Sequence, residues 1–420
     1  MKKTYVLNAA QIVTPTGRRA LKGTKMNRLA ILENGGIYME DGIIKAIGST
    51  EELLCQYGRP GEVDEVIDAS GKAVLPGFVD SHTHLVFGGY RPGEFISRLQ
   101  GTSYLTILEQ GGGIQNTVKS TREASFESLL ELGMKRLNAM AAQGVTTVEG
   151  KSGYGLDLVT EIKQLEVMKS LNETHPVEVV STYLGAHAVP PQYRNNARAY
   201  VAYMMEEVLP VVKEKGLAEF ADVFCEEGVF TLAESEALLK KAGDMGFKLK
   251  IHADEIHSLG GGELAARLGA LSADHLLAVS KEGIRQLAQS QTVATLLPLT
   301  AFCLNHDLAP GREMIDSGCA VALATDYNPG SCFSHSTSLV IALSVIAMKL
   351  TIEEAITALT LNGAAALGRA DRLGSLEVGK QGDLILLEYP DYRFLAYHTG
   401  MNIIEKVVKE GKLIWNNRMI

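Results

Sequence analysis

Two histidines one residue apart, His82 and His84, close the hydrophobic run Leu75-Pro76-Gly77-Phe78-Val79-Asp80-Ser81. Side chains alternate faces along an extended segment, so both imidazoles point the same way and Thr83 is turned aside. Neutral imidazole is a common ligand for zinc and similar borderline ions, and the end of a buried strand would hold both rings with little freedom. Four further polar groups follow β-prone runs at the same relative place: His187 after Ser181 to Ala186, His252 after Leu249 to Ile251, His275 after Ser272 to Asp274, and Asp326 after Val321 to Thr325. A lone strand-end histidine more often caps a carbonyl or fills a polar pocket than binds metal. The recurrence of such groups at equivalent positions points to one shared cation. His175, His257, His306, His335 and His398 lack that placement and read as ordinary loop or surface residues.

For these groups to meet, the strands that carry them must be parallel and end on one face. After Pro76-Gly77, strand-like runs alternate with amphipathic helical segments, as in Val145 to Glu149, Leu158 to Leu171 and Val177 to Leu184. The rhythm continues through Ala221 to Phe224, Lys248 to Ala253, Ser272 to His275, Val293 to Leu297 and Val321 to Asp326. Counting the run before His82, this predicts a (β/α)₈ barrel of the α/β class, whose active site lies at the C-terminal ends of its strands. A doubly wound open sheet is the rival architecture. Both ends of the chain instead read as short strands, with Asp41-Gly42 a strong hairpin signal. The expected organisation is a composite β-sandwich domain from residues 1–73 and 374–420, with the barrel, residues 74–373, inserted between its halves.

Composition bounds the function. The chain has 420 residues, 46% of them hydrophobic, and a formal charge of -9 from 40 Lys and Arg against 49 Asp and Glu. No long basic tract favours nucleic acid. The apolar stretch Thr337 to Met348 is too short to span a bilayer, and no secretory-type segment follows Lys2-Lys3, so a soluble, cytoplasmic protein is expected. Cys55, Cys225, Cys303, Cys319 and Cys332 are scattered, without a C-x-x-C pair, and read as buried thiols. Gly111-Gly112-Gly113 lacks the Lys-Ser/Thr of a phosphate loop, and a flexible lid over the site is the better reading.

The ordered segments His82-Thr83-His84-Leu85-Val86-Phe87-Gly88-Gly89-Tyr90-Arg91, Lys151-Ser152-Gly153-Tyr154-Gly155-Leu156, Gly185-Ala186-His187-Ala188-Val189-Pro190-Pro191, His252-Ala253-Asp254-Glu255, Ser272-Ala273-Asp274-His275 and Ala324-Thr325-Asp326-Tyr327-Asn328-Pro329-Gly330-Ser331 are similar to those of the metal-dependent amidohydrolase superfamily. The likeness covers essentially the whole chain and narrows to the imidazolone-hydrolysing branch of histidine degradation. It implies metal ligands at His82, His84, His252 and Asp326 and one divalent or trivalent ion per chain, zinc or iron, with a position left for water. The ion would lower the pKa of that water toward ~7. Some superfamily members bridge two ions through a lysine on the fourth strand, but the fourth run, Ala221 to Cys225, contains none, and Lys151 follows the second.

The substrate so implied is 4-imidazolone-5-propanoate, a cyclic amide with a propionate tail. Attack of metal-bound hydroxide on its ring carbonyl would give N-formimidoyl-L-glutamate. Glu255, His275 and Asp326 are the implied proton carriers, with the principal base left open among them. Arg91, in the loop above the barrel, is the expected partner of the propionate, because a guanidinium grips a carboxylate with two parallel bonds. Tyr154, His187, Asn328, Gly330 and Ser331 are similar to the family's other substrate contacts, with Glu255 among them. Another cyclic amide or an aminated heterocycle remains an alternative substrate, and a homodimer is expected.

Overall fold

The structure is a computed structural model that describes residues 2–102, 112–194 and 196–417. Its strands form two eight-stranded sheets. The chain begins with β1 (Lys3–Thr14), β2 (Ala30–Glu40), β3 (Ile43–Ser49), β4 (Glu65–Asp68) and β5 (Ala73–Pro76). It ends with β14 (Leu384–Leu387), β15 (Ile404–Lys409) and β16 (Lys412–Asn416). These pair in the order β16-β15-β14-β5-β1-β2-β3, with β4 also on β1, so the two ends of the chain share one largely antiparallel sheet. Alternation along β1 explains its two covered faces: Val6 and Ile12 join one apolar cluster, while Tyr5 and Leu7 pack with Tyr38 and Leu53 in another. The Asp41-Gly42 hairpin forms as expected, both residues having positive φ (46° and 78°) between the paired Glu40 and Ile43.

Two local expectations change. Thr4 to Asn8 and Ile12-Val13 are parts of one strand rather than two, because a bulge between Val6 and Ala9, with Asn8 at φ 64°, absorbs the irregularity without breaking the pairing. Of the β-like stretch from Gly374 to Leu387, only Leu384–Leu387 is a strand. Lys380 lies buried in the irregular part, its ammonium donating to the carbonyls of Gly17 and Ala370.

The second sheet runs β6 (Phe78–Asp80), β7 (Val145–Lys151), β8 (Glu178–Ala186), β9 (Phe220–Cys225), β10 (Lys248–Ala253), β11 (Ser272–His275), β12 (Val293–Leu296) and β13 (Ala320–Leu323). Each strand pairs in parallel with the next. The last meets the first just beyond their ends. Thr83 bridges Tyr327 in parallel, Asp326 N donates to His82 O at 3.0 Å, and His84 N donates to Tyr327 O at 2.9 Å. Asp80 reinforces the seam by accepting from Thr325 N and Oγ1 at 3.0 and 2.6 Å. These bonds make a (β/α)₈ barrel, not an open sheet. Short runs of small and branched residues such as Val-Ala-Thr-Leu and Ala-Val-Ala-Leu suit strands buried on both faces.

The intervening helices begin on side-chain caps. Ser125, Asp157, Thr231 and Ser280 each accept from the backbone N–H three residues on, a contribution of about 1 kcal/mol apiece. Among the described residues no helix is long and apolar enough to cross a membrane. Cys225, Cys319 and Cys332 are buried as expected, but Cys303 is only half-buried, near the end of the helix Pro298–Leu304, and Cys55 is exposed on the helix Thr50–Tyr57, whose buried residue is Leu53. Of the glycine stretch read as a lid, Gly111 lies outside the described residues. Gly113 precedes the helix Ile114–Glu123, and its N–H donates to Glu94.

Candidate metal centre

His82 and His84 sit just past β6, His252 within β10, His275 at the end of β11 and Asp326 beyond β13, all at the C-terminal mouth of the barrel. Nε2 of His82 and Nε2 of His84 each lie 3.6 Å from Asp326 Oδ1. His252 packs edge-on to His82, their ring centroids 4.6 Å apart. The donor atoms of His82, His84 and Asp326 form one cluster and those of His82, His252 and His275 another, with separations within 4.8 Å in each. His82 belongs to both.

His82 Nε2, His252 Nε2 and Asp326 Oδ1 are buried with no hydrogen-bond partner among the described residues. Leaving such an atom unpaired costs ~1–3 kcal/mol, and a cation between them removes the cost. Donors bonded at ~2.0–2.2 Å to one tetrahedral ion stand roughly 3.5 Å apart, close to the observed spacing. Burial first, then the neighbouring cation and imidazoles, hold His82, His84 and His252 well below the usual histidine value, so the rings are neutral, as ligands must be. His82 Nδ1 lies 2.7 Å from Asp274 Oδ2, which keeps the ring proton on Nδ1 and turns the Nε2 lone pair to the site. Burial pushes Asp326 up to about 7, against the Thr300 hydroxyl that donates to its Oδ2 at 2.7 Å. The donor set fits a divalent cation.

Around it lie the other expected residues. His275 and Asp326 have φ of 77° and 51°, left-handed backbone that stores strain at the site. Glu255 Oε2 is 3.5 Å from His275 Nδ1. Burial, then the nearby Asp326 and Glu226 carboxyls, push Glu255 up to about 8, while burial pushes His275 down to about 4. His187 stacks on His84 with ring centroids 4.7 Å apart, and its Nδ1 lies 3.2 Å from Gly153 O, leaving Nε2 as an acceptor. Tyr154 is buried against both rings.

Arg91 precedes the helix Pro92–Leu99 with its guanidinium largely buried. Its nearest carboxylate, Glu94, is 3.5 Å away, and its Nε has no hydrogen-bond partner among the described residues. Asn328 spends its amide inside its own loop: Oδ1 accepts from Gly330 N and Ser331 N at 2.8 Å, and Nδ2 donates to Asp326 O and Ser331 Oγ. It shapes the turn that brings Gly330 to Arg91.

The amidohydrolase family pattern matches residues 73–414. An imidazolonepropionase of Parabacteroides distasonis is 57% identical over 411 residues, covering 98% of each chain. One of Clostridium tetani is 55% identical over 417 residues, covering 99% of each. This chain belongs to the amidohydrolase family, in its imidazolonepropionase branch. The fold of this amidohydrolase is also that of a zinc-bound adenosine deaminase from Xanthomonas campestris (TM-score 0.70, 18% identity, 99% and 94% of the two chains covered). Guanine deaminase of E. coli shares it as well (TM-score 0.72, 15% identity, 99% and 100% covered).

What the motifs of this amidohydrolase did not reveal is the polar layer beneath the histidines. Lys151, Lys250, Glu149, Asp222 and Asp274 are all fully or almost fully buried inside the barrel. Lys151 Nζ lies 2.7 Å from Asp222 Oδ2, 3.0 Å from Glu149 Oε1 and 3.5 Å from Asp274 Oδ2. Lys250 Nζ donates to Glu149 Oε2 at 2.8 Å and Ser81 O at 3.0 Å. Asp222 Oδ2 comes within 3.0 Å of His252 Nδ1, though out of line for a hydrogen bond. A signal was there: charged residues interrupt otherwise apolar strands, as in Phe-Ala-Asp222-Val-Phe and Leu-Lys250-Ile. Glu161 and Gln164 were also missed. They hold the Tyr154 loop, Glu161 accepting from the N–H groups of Gly153, Gly155 and Leu156, and Gln164 from that of Tyr154.

Proposed function

We propose that this amidohydrolase hydrolyses the cyclic amide of 4-imidazolone-5-propanoate to N-formimidoyl-L-glutamate, a step of histidine degradation. The observation that carries the reading is a buried, loosely partnered guanidinium, Arg91, near enough to disfavour the charged form of His187, which stacks on His84 at the cluster of buried imidazole and carboxylate donors. A metal cluster alone fits many hydrolases, whereas a cation poised next to it selects a substrate with an anionic tail. The names of the relatives that match along nearly the full chain support the same substrate.

His82, His84, His252 and Asp326 would hold one ion, zinc or iron, since three imidazoles and a carboxylate suit either. When bound, the ion supplies Lewis acidity for activating water and polarising the ring carbonyl. Arg91 binds the propionate through paired charge-assisted hydrogen bonds. His187, its Nδ1 proton engaged by Gly153 O, offers Nε2 to an N–H of the ring. Tyr154 covers the ring and excludes water.

Hydrolysis adds hydroxyl to the carbonyl carbon and a proton to the ring nitrogen as the C–N bond breaks. Glu255, kept protonated near neutral pH by burial, is the carboxyl suited to deliver that proton, and His275 beside it steadies the developing oxyanion. Incubation of purified, metal-replete protein with fresh substrate should deplete the imidazolone absorbance. A rate no higher than the protein-free blank rejects the assignment.

A further inference from the structure

Buried ion networks are a poor route to stability, since the cost of desolvating the charges offsets their attraction, and apolar side chains fill a barrel interior more cheaply. Yet five charged groups occupy the layer under the histidines, and two of the carboxylates reach ring nitrogens. Asp274 Oδ2 is 2.7 Å from His82 Nδ1 and Asp222 Oδ2 is 3.0 Å from His252 Nδ1. Lys151 is the group that contacts both carboxylates, at 3.5 and 2.7 Å; Glu149 holds it at 3.0 Å and is itself bound by Lys250, which reaches only Asp274 of the pair, at 4.0 Å. It is fully buried, so its side chain has no freedom to serve anything else.

We propose that Lys151 is a positioning residue for the metal centre: its ammonium holds Asp274 and Asp222 against His82 and His252, and thereby sets how tightly the site binds a divalent ion. This rests on the ligand assignment made above. Loss of the ammonium has two opposed effects. It removes a positive charge near the cation, and it frees two carboxylates that repel each other. Once free, they turn away from the rings they orient, and loss of such support behind metal ligands typically costs roughly 10- to 100-fold in metal affinity. The net effect is weaker binding.

Zinc affinity, measured by competition with a chromophoric chelator, and the visible spectrum of the cobalt-substituted protein test the idea. Lys151→Met and Asp274→Asn should each weaken zinc binding roughly 10- to 100-fold and shift the cobalt bands, with KM at saturating zinc unchanged. Circular dichroism checks the fold, and Lys151→Gln, which keeps a donor without the charge, carries the test if Lys151→Met does not fold. Zinc affinity within about threefold of the parent and an unaltered cobalt spectrum in the lysine variant overturn the proposal, whether or not Asp274→Asn is impaired. His84→Ala separates this from failure of the ligand assignment: if it binds zinc as tightly as the parent, the assignment is wrong. If it does not, while the lysine variant binds normally, only the role of Lys151 is lost.

Discussion

A Cβ on Gly330 would overlap Nη2 of Arg91. The bare backbone at this position lets the guanidinium lie over the loop that Asn328 folds, and Arg98 caps the same spot by donating to Gly330 O. Gly330 has no positive φ, so an alanine there is accepted by its own backbone and meets only the movable end of the arginine. Gly330→Ala should therefore displace Arg91 and raise KM roughly 10-fold or more with little change in kcat, the loss of one or two charge-assisted bonds. Steady-state kinetics decide; an unchanged KM means that Arg91 does not hold the substrate in this position.

Arg91→Ala removes the grip on the tail outright. About 1.5–3 kcal/mol of charged hydrogen bonding is lost, a rise in KM of roughly 10- to 100-fold for a substrate with a carboxylate tail. Cyclic amides without a tail should be turned over as before. Arg91→Lys should restore only part of the loss, because an ammonium cannot make two parallel bonds. Equal losses with tailed and tail-less compounds would assign Arg91 to the fold instead.

His84→Ala and Asp326→Ala each delete a donor from the buried cluster. Turnover should fall by at least ~10³-fold, since the ion is needed for the chemical step, whereas the melting temperature should stay within a few degrees because the barrel core lies below the mouth. Elemental analysis should find both variants depleted in metal. Full activity in either would contradict its assignment as a ligand.

Glu255 links pH to stability. Its folded value is pushed from 4.5 up to about 8, so over that window the folded protein keeps a proton that the unfolded chain has released. Its stabilising contribution is complete below 4.5 and is lost as pH rises to about 8. Asp80 and Asp326, pushed up to about 6 and about 7, act in the same direction lower in the range. Below about pH 6.5 the buried histidines, held low, act the other way, but from about pH 7 to 8 Glu255 should cost the chelator-treated protein thermal stability as pH rises, and Glu255→Gln should flatten that decline. Melting curves at graded pH check this, and an undiminished slope in the variant rejects it.

The order of the strands and the identity of the ligand candidates were legible along the chain, for physical reasons. Strands buried on both faces must be short and apolar, so Val293 to Leu297 and Val321 to Asp326 announce themselves, and metal chemistry restricts its ligands to a few side-chain types, so His82, His84, His252 and Asp326 stand out. Asn328 was legible by motif but not by role, because only its hydrogen bonds reveal that its amide is committed to the turn. Lys151 was noticed merely as following the second run, and Lys250, Asp222 and Glu149 not at all.

What the sequence by itself determined is therefore the set of strands and the chemistry available at their ends. Only the tertiary structure decided which strands are neighbours and which side chains share the interior. Closure of the cylinder, through Thr83 against Tyr327 and Asp80 against Thr325, brings the first strand beside the last and sets Asp326 within 3.6 Å of both histidines. It also forces charges from separate strands into one buried layer, where Lys151 meets Asp222. A residue's place along a strand shows which face it occupies, but opposition across a closed barrel depends on strand tilt and register, which arise when all the strands pair at once.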